Sequence, residues 1–172
     1  MPTQGSMRCV DVNVLVYAHR EDLPQHPAYR DRLEALGNDD EPLGLADAVL
    51  SGFLRVTTNR RIFNEPTSSA DAWQFVDALL GAPASVPLRP GRRHWELFTA
   101  LARRGEATGN DIGDAHLAAY ALENNAVWLS ADRGFARFER LRWEHPLGGS
   151  PEPVGPAGGT PAPRRSPSRR AR

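Results

Sequence analysis

Short apolar clusters alternate along this chain with stretches whose apolar residues recur at helical spacing. Residues 7–12 are mostly apolar and read as a buried strand that passes directly into a helix through Ala18. Pro27 suits the first turn of a second helix, which runs to about Leu36 before the Gly37-Asn38-Asp39-Asp40 break. Residues 43–46 form a short apolar strand. The helix expected from Asp47 carries Val49, Leu50, Phe53, Leu54 and Val56. Pro66-Thr67-Ser68-Ser69 initiates another, with Trp73, Val76, Leu79 and Leu80 on one face. Residues 85–88 are strand-like, and 92–103 helical with Trp95, Phe98, Leu101 and Ala102 inward. Asn110 is expected to cap the helix that contains Asp114. Residues 126–130 read as a strand and 141–143 as a short last one. No repeats are visible. Alternation of this kind predicts an α/β fold of three layers, a central parallel sheet with helices on both faces.

Composition divides the chain. From Leu147 onward it is mostly Gly, Pro, Ala, Ser and Arg, with Leu147 and Val154 the only large aliphatics. Such a stretch buries too little apolar surface to offset ordering, so residues 148–172 are expected to be a disordered tail. Residues 7–147 suffice for one domain, which at that length buries about two-thirds of its unfolded surface. Residues 1–6 are small and polar, so Met7 is a candidate natural start, open to N-terminal sequencing.

The net charge of zero conceals an asymmetry. From residue 148 onward five Arg face Glu152 alone, giving +4; the rest carries 16 Arg against 20 acids, giving −4. All 21 basic side chains are Arg, which excludes any mechanism that needs a lysine amine. An acidic body does not bind nucleic acid by bulk charge, so RNA contacts would be local, through Arg pairs such as 60–61, 92–93 and 103–104. Those pairs are otherwise solvated surface. Cys9 stands alone, which excludes a disulfide framework and a zinc cluster. No run approaches the roughly 18 apolar residues of a membrane span, and no signal-type segment precedes the first strand. A cytoplasmic protein is expected.

Three acidic clusters at the edges of apolar segments carry the chemistry. Asp11 closes the first apolar run, Asp111 and Asp114 head the run 115–122, and Asp132 follows the strand around 126–129. Carboxylates are costly to bury unless paired or bound to a metal, and hard cations prefer oxygen ligands. In open parallel sheets, ligands bind beyond the carboxyl ends of the strands, where Asp11 and Asp132 are expected, with Asp114 near the same edge. Each acid also has a plainer role. Asp11 could cap a helix, Asp111 and Asp114 could complement a helix dipole, and Asp132 could form an Asx-turn. Dipole complementation does not require three clusters at one edge, however, and Asp111 and Asp114, three apart, repel unless a cation intervenes.

At this point the sequence resembles a known family, the PIN-domain ribonucleases, and within it the VapC toxins of type II toxin–antitoxin systems. The matching segments are residues 10–18 (Val10-Asp11-Val12-Asn13), 50–59 (Leu50-Ser51-Gly52-Phe53), 109–119 (Asp114-Ala115-His116-Leu117-Ala118-Ala119) and 129–135 (Leu129-Ser130-Ala131-Asp132-Arg133-Gly134-Phe135). The ending Leu141-Arg142-Trp143-Glu144-His145-Pro146-Leu147 is similar too. The resemblance covers residues 7–147 in order and spacing.

The resemblance implies catalytic roles for Asp11, Asp114 and Asp132, with Asp11 and Asp114 as direct ligands of Mg²⁺ (or Mn²⁺) and Asp132 holding water or a second, weaker ion. Asn13 and Ser130 would support the site. It implies a homodimeric endoribonuclease acting on tRNA or rRNA, inhibited by a VapB-like antitoxin. Mg²⁺ keeps several waters and uses one or two carboxylates, and a coordinated water becomes a better nucleophile at neutral pH. The family's second acid, usually a Glu in the helix after the second strand, is absent: Ser51-Gly52 stands there, and Asp47, one turn earlier, could substitute or simply cap the helix. His116 stands two residues after Asp114, on another helix face, which favours a structural role. A haloacid-dehalogenase-type phosphatase would need a second Asp where Asn13 stands, and a receiver domain needs a lysine. A non-catalytic PIN relative that only binds RNA or antitoxin is the remaining alternative.

Overall fold

The structure is a computed structural model that describes residues 6–148. The expected tail therefore lies outside the described residues, apart from Gly148. Five short strands, β1 (Arg8–Val10), β2 (Leu43–Ala46), β3 (Ser85–Leu88), β4 (Val127–Leu129) and β5 (Arg142–Glu144), form one sheet in the order β3-β2-β1-β4-β5. Every pairing is parallel. Six α-helices connect them: α1 (Val12–His19), α2 (His26–Gly37), α3 (Asp47–Thr57), α4 (Ser69–Leu80), α5 (His94–Arg104) and α6 (Asn110–Glu123). A 3-10 turn, Arg133–Arg137, precedes β5. No helix among the described residues is long and apolar enough to cross a membrane.

The strand order positions the site. The chain moves outward from β1 through β2 to β3, then crosses back through α5 and α6 to β4 on the other side of β1. Right-handed crossovers of opposite travel place α1–α4 and α5–α6 on opposite faces. Consistently, α1 packs on α2 and α3, α3 on α4, and α5 on α6. The reversal between β1 and β4 is a topological switch point, where loops diverge and leave a crevice. β1, β2 and β4 are buried on both faces, as a covered parallel sheet requires. Pro87 sits in β3, an edge strand, where its missing N–H costs no ladder bond.

Several boundaries and facings differ from the sequence expectation. The first strand ends at Val10, and Val12 already begins α1 because Asp11 caps that helix with its own side chain. Asn110 is the first residue of α6, not its cap; Gly109 takes that position at φ 54°, a left-handed conformation that glycine adopts without strain. Trp73 and Trp95 point outward, 53% and 70% exposed. The inward stripes are Ala72, Val76 and Leu79 on α4, and His94 and Leu97 on α5. α5 also starts two residues later than expected, after Arg93.

Candidate functional site

Asp11 stands between the end of β1 and the start of α1, and it is only 6% exposed. One carboxylate oxygen, Oδ1, accepts the Val12 amide at 2.6 Å, which is the capping role. The other, Oδ2, accepts the Ser130 hydroxyl at 2.6 Å and the Asn13 amide at 3.1 Å. Ser130 lies just past β4 and is completely buried. Its Oγ also accepts from Asn13 Nδ2 at 3.1 Å and from the Asp132 amide at 3.0 Å. Asn13 Oδ1 in turn accepts the Ala131 amide, and Trp143 of β5 donates to the Ser130 carbonyl. A closed set of hydrogen bonds thus fixes one carboxylate across the β1/β4 crevice. Asn13 and Ser130 both hold Asp11 by hydrogen bonds.

The cost of that burial is visible electrostatically. Desolvation pushes the Asp11 carboxyl up to about 6, against the lowering effect of Ser130 and Val12. The negative charges of Asp114 and Asp132 add to the rise, so the three expected acids act on one another through space. A buried carboxylate with two acidic neighbours is a place where a cation is stabilised.

Asp114 sits in the second turn of α6, with its side chain 26% exposed. Its Oδ2 accepts from Arg137 at 2.9 Å, and Asp111 accepts from the same guanidinium nitrogen at 3.3 Å. The cation that relieves this i,i+3 pair is therefore a protein side chain, one that sequence reasoning missed. Arg137 is steadied by donating to the Gly134 carbonyl at 2.6 Å and by stacking on Phe138 at 4.4 Å. Arg137 belongs to no Arg pair, and its distance of 23 residues from Asp114 left no local pattern to find. Asp132 is exposed; its Oδ1 accepts the Gly134 amide at 2.7 Å, so it forms the Asx-turn while facing the same edge.

Asp47 does not join this group. Its Oδ1 accepts the Tyr120 hydroxyl at 2.6 Å and the Ala48 amide at 2.8 Å, and the charges that raise Asp11 are those of Asp114 and Asp132. Position 52 is closed as well: a Cβ added at Gly52 would lie 2.8 Å from the Val12 side chain, so α3 meets α1 too closely for an acid there. His116 packs edge-on against His94, Phe98 and Tyr120, and its carbonyl lies 3.1 Å from His94 Nε2. Burial, then the neighbouring His94, lowers its proton affinity. It is a packing residue.

The donor chemistry limits what can bind. All available ligands are carboxylate oxygens, and among the described residues no three acid, imidazole or thiol groups gather closely enough to enclose an ion. A carboxylate donor set fits Mg²⁺, which takes one or two carboxylates and fills its remaining positions with water or substrate oxygens. Asp11 and Asp114 are the carboxylates that could hold such an ion.

A family model for the PIN domain matches residues 8–141. Ribonuclease VapC43 of Mycobacterium tuberculosis is 73% identical over 143 residues, spanning 83% of this chain and 97% of the relative. Ribonuclease VapC25 of the same organism is 43% identical over 140 residues, spanning 81% and 99%. Among solved structures, VapBC2 from Rickettsia felis, bound to a DNA fragment from its promoter, superposes with a TM-score of 0.59 at 20% identity, covering 81% of this chain and 98% of that one. VapC20 of M. tuberculosis, described as a sarcin-ricin loop cleaving toxin, gives 0.57 at 11% identity, covering 76% and 93%.

Proposed function

The chain belongs to the PIN-domain family, and on that premise we propose that it is the toxin of a type II toxin–antitoxin pair, a Mg²⁺-dependent endoribonuclease in which Mn²⁺ can substitute. The observation that carries this reading is Asp11, a carboxylate at the switch point whose proton affinity is raised by burial and further by Asp114 and Asp132, and which is held by Ser130 and Asn13. The names of relatives at 73% and 43% identity support the same activity.

In this reading Asp11 and Asp114 hold the ion. When bound, Mg²⁺ supplies Lewis-acid stabilisation of charge on the phosphoryl oxygens and acidifies water for attack. The protein's residues set the geometry. Ser130 and Asn13 fix Asp11 in one orientation, so no reorganisation is needed during reaction. Arg137 pairs with the Asp114 carboxylate and offsets its repulsion with Asp111. Asp132, exposed at the rim and fixed through Gly134, orients water or a second, weaker ion. Attack by water, not by the ribose hydroxyl, gives 5′-phosphate and 3′-hydroxyl ends.

The test is cleavage of a structured RNA by purified protein with Mg²⁺ or Mn²⁺, arrested by EDTA and by Asp114→Asn. Cyclic-phosphate ends, or undiminished cutting in EDTA, would sink the mechanism. A VapB-like antitoxin, homodimerisation and a tRNA or rRNA substrate complete the proposal, and solved VapBC relatives support the first. One observation keeps a second reading open, a binding-only PIN protein: Asp47 is engaged by Tyr120 and no acid replaces the family's Glu. No cleavage with any divalent ion, alongside intact partner binding, would establish that alternative.

A further inference from the structure

Beside the carboxylate edge lies a cavity of about 400 Å³, between α5, α6 and the segment around Phe138. Its volume falls within the range of clefts that bind small ligands, about 300–1,000 Å³. Leu97, Leu101, Leu122 and Phe138 give it an apolar floor, whereas Arg104, Arg137 and Arg140 supply three guanidinium groups. Asp111 and Glu139 are also in its wall, but Asp111 is paired with Arg137. Among the described residues neither Arg104 nor Arg140 has an ion-pair partner. The cavity is continuous with the site: Arg137 lines it and donates to Asp114 at 2.9 Å.

Resting on the nuclease reading above, we propose that this cavity is the subsite for one single-stranded RNA nucleotide flanking the scissile phosphate. The base lies on the leucine and Phe138 floor, and Arg104 and Arg140 bind the adjoining phosphates. Two features favour an RNA nucleotide over a peptide segment. Guanidinium groups without ion-pair partners in the same cavity as apolar side chains match a base with its adjoining phosphates, because Arg binds phosphate through paired N–H donors. The cavity also shares Arg137 with Asp114, so it adjoins the carboxylates that the nuclease reading places at the scissile phosphate. It assigns the second Arg of the 103–104 pair to substrate and leaves Arg60 and Arg61, in the loop after α3, as solvated surface.

The test uses the full chain and a fluorescent, mixed-sequence, single-stranded RNA that the parent protein cuts. Arg104→Gln and Arg140→Gln should each weaken binding about tenfold across sequences, and each should flatten the salt dependence by about 0.7 in the log–log slope. The loss in kcat/KM should be carried by KM. Arg60→Gln/Arg61→Gln should match the parent in every respect. Abasic substitution walked along the cut RNA should reveal one position beside the cleavage point whose loss raises KM in the parent but not in Arg104→Gln/Arg140→Gln. Parent-like binding and salt slope in both single variants would overturn the subsite. So would weakened antitoxin binding with RNA binding unchanged, which would make the cavity a protein-docking site. Failure of the parent to cut any RNA would instead count against the nuclease reading itself.

Discussion

Replacing Asp11 by Asn, in metal-free protein, should raise stability at neutral pH and lower it slightly in acid. Asp11 holds its proton up to about 6 when folded, against 3.8 for the free side chain. Between these values the native state binds more protons than the unfolded state, so its contribution falls as pH rises through that window and is constant above it. At about 1.4 kcal/mol per tenfold in proton affinity, the buried charge costs about 3 kcal/mol at pH 7. Against this, the substitution turns an amide toward the Asn13 amide donor and loses one acceptor in the Ser130 network, a pH-independent cost of about 1 kcal/mol. The variant should therefore be more stable than the parent by about 2 kcal/mol near pH 7, and less stable by under about 1 kcal/mol near pH 4. Urea unfolding of both proteins with chelator, at several pH values, measures the difference directly and cancels the other titrating groups. A stability difference that stays flat from about pH 4 to pH 7 would refute the claim that burial and the neighbouring acids strain this carboxylate.

Three further outcomes follow from the same network. Mg²⁺ or Mn²⁺ should raise the melting temperature of the parent by binding only the native state, and should not raise that of Asp11→Asn/Asp114→Asn; equal shifts would place the ion elsewhere. Ser130→Ala removes a completely buried donor to Asp11 and should cost about 1–3 kcal/mol by urea unfolding, while a change under 0.5 kcal/mol would show that water replaces it. Arg137→Gln should lower kcat/KM for RNA roughly 10–100-fold, the range for loss of a residue bonded to a metal-site carboxylate, with partial rescue by Arg137→Lys; parent-like rates would mean that Arg137 takes no part in the reaction.

The elements that sequence located best are those whose local signals agree with their packing. β2 and β3 begin and end where the apolar runs do, because each run is bounded by turn residues and buried or paired along its whole length. Trp73 and Trp95 were misplaced for a physical reason. Side-chain size suggested burial, but the helix phase is set by Ala72, Val76 and Leu79, and by His94 and Leu97, which leave each tryptophan about one residue off the inward stripe. The acids were legible because buried charge demands an explanation, and the parallel sheet says where strand ends converge. Arg137 was not, since its partners Asp111 and Asp114 lie on another element and pair with it only after the switch-point crossover folds. Asp47 was ambiguous in sequence because a helix-start acid serves equally as cap or ligand; in the structure Ala46 holds the cap position, and Asp47, in the first turn, accepts the hydroxyl of Tyr120, 73 residues away.

The two metal-site carboxylates are held in different ways, and the difference bears on function. Asp11 is locked by neutral donors that neither cancel its charge nor leave with changing conditions. Asp114 is held by a half-exposed guanidinium that neutralises it. Exposed ion pairs contribute little, about 0–1 kcal/mol, so a divalent ion can compete with Arg137 for Asp114 at small cost. Its attraction to the crowded Asp11 charge has no comparable competitor. Asp11 would then carry most of the ion's affinity, and Asp114 would contribute to the extent that the ion displaces Arg137 from it. On this reasoning Arg137→Gln should tighten Mg²⁺ binding while slowing RNA cleavage. Calorimetric titration of Mg²⁺ into the two proteins decides it: weaker Mg²⁺ binding by Arg137→Gln would show that the guanidinium organises the ion site and does not compete for it.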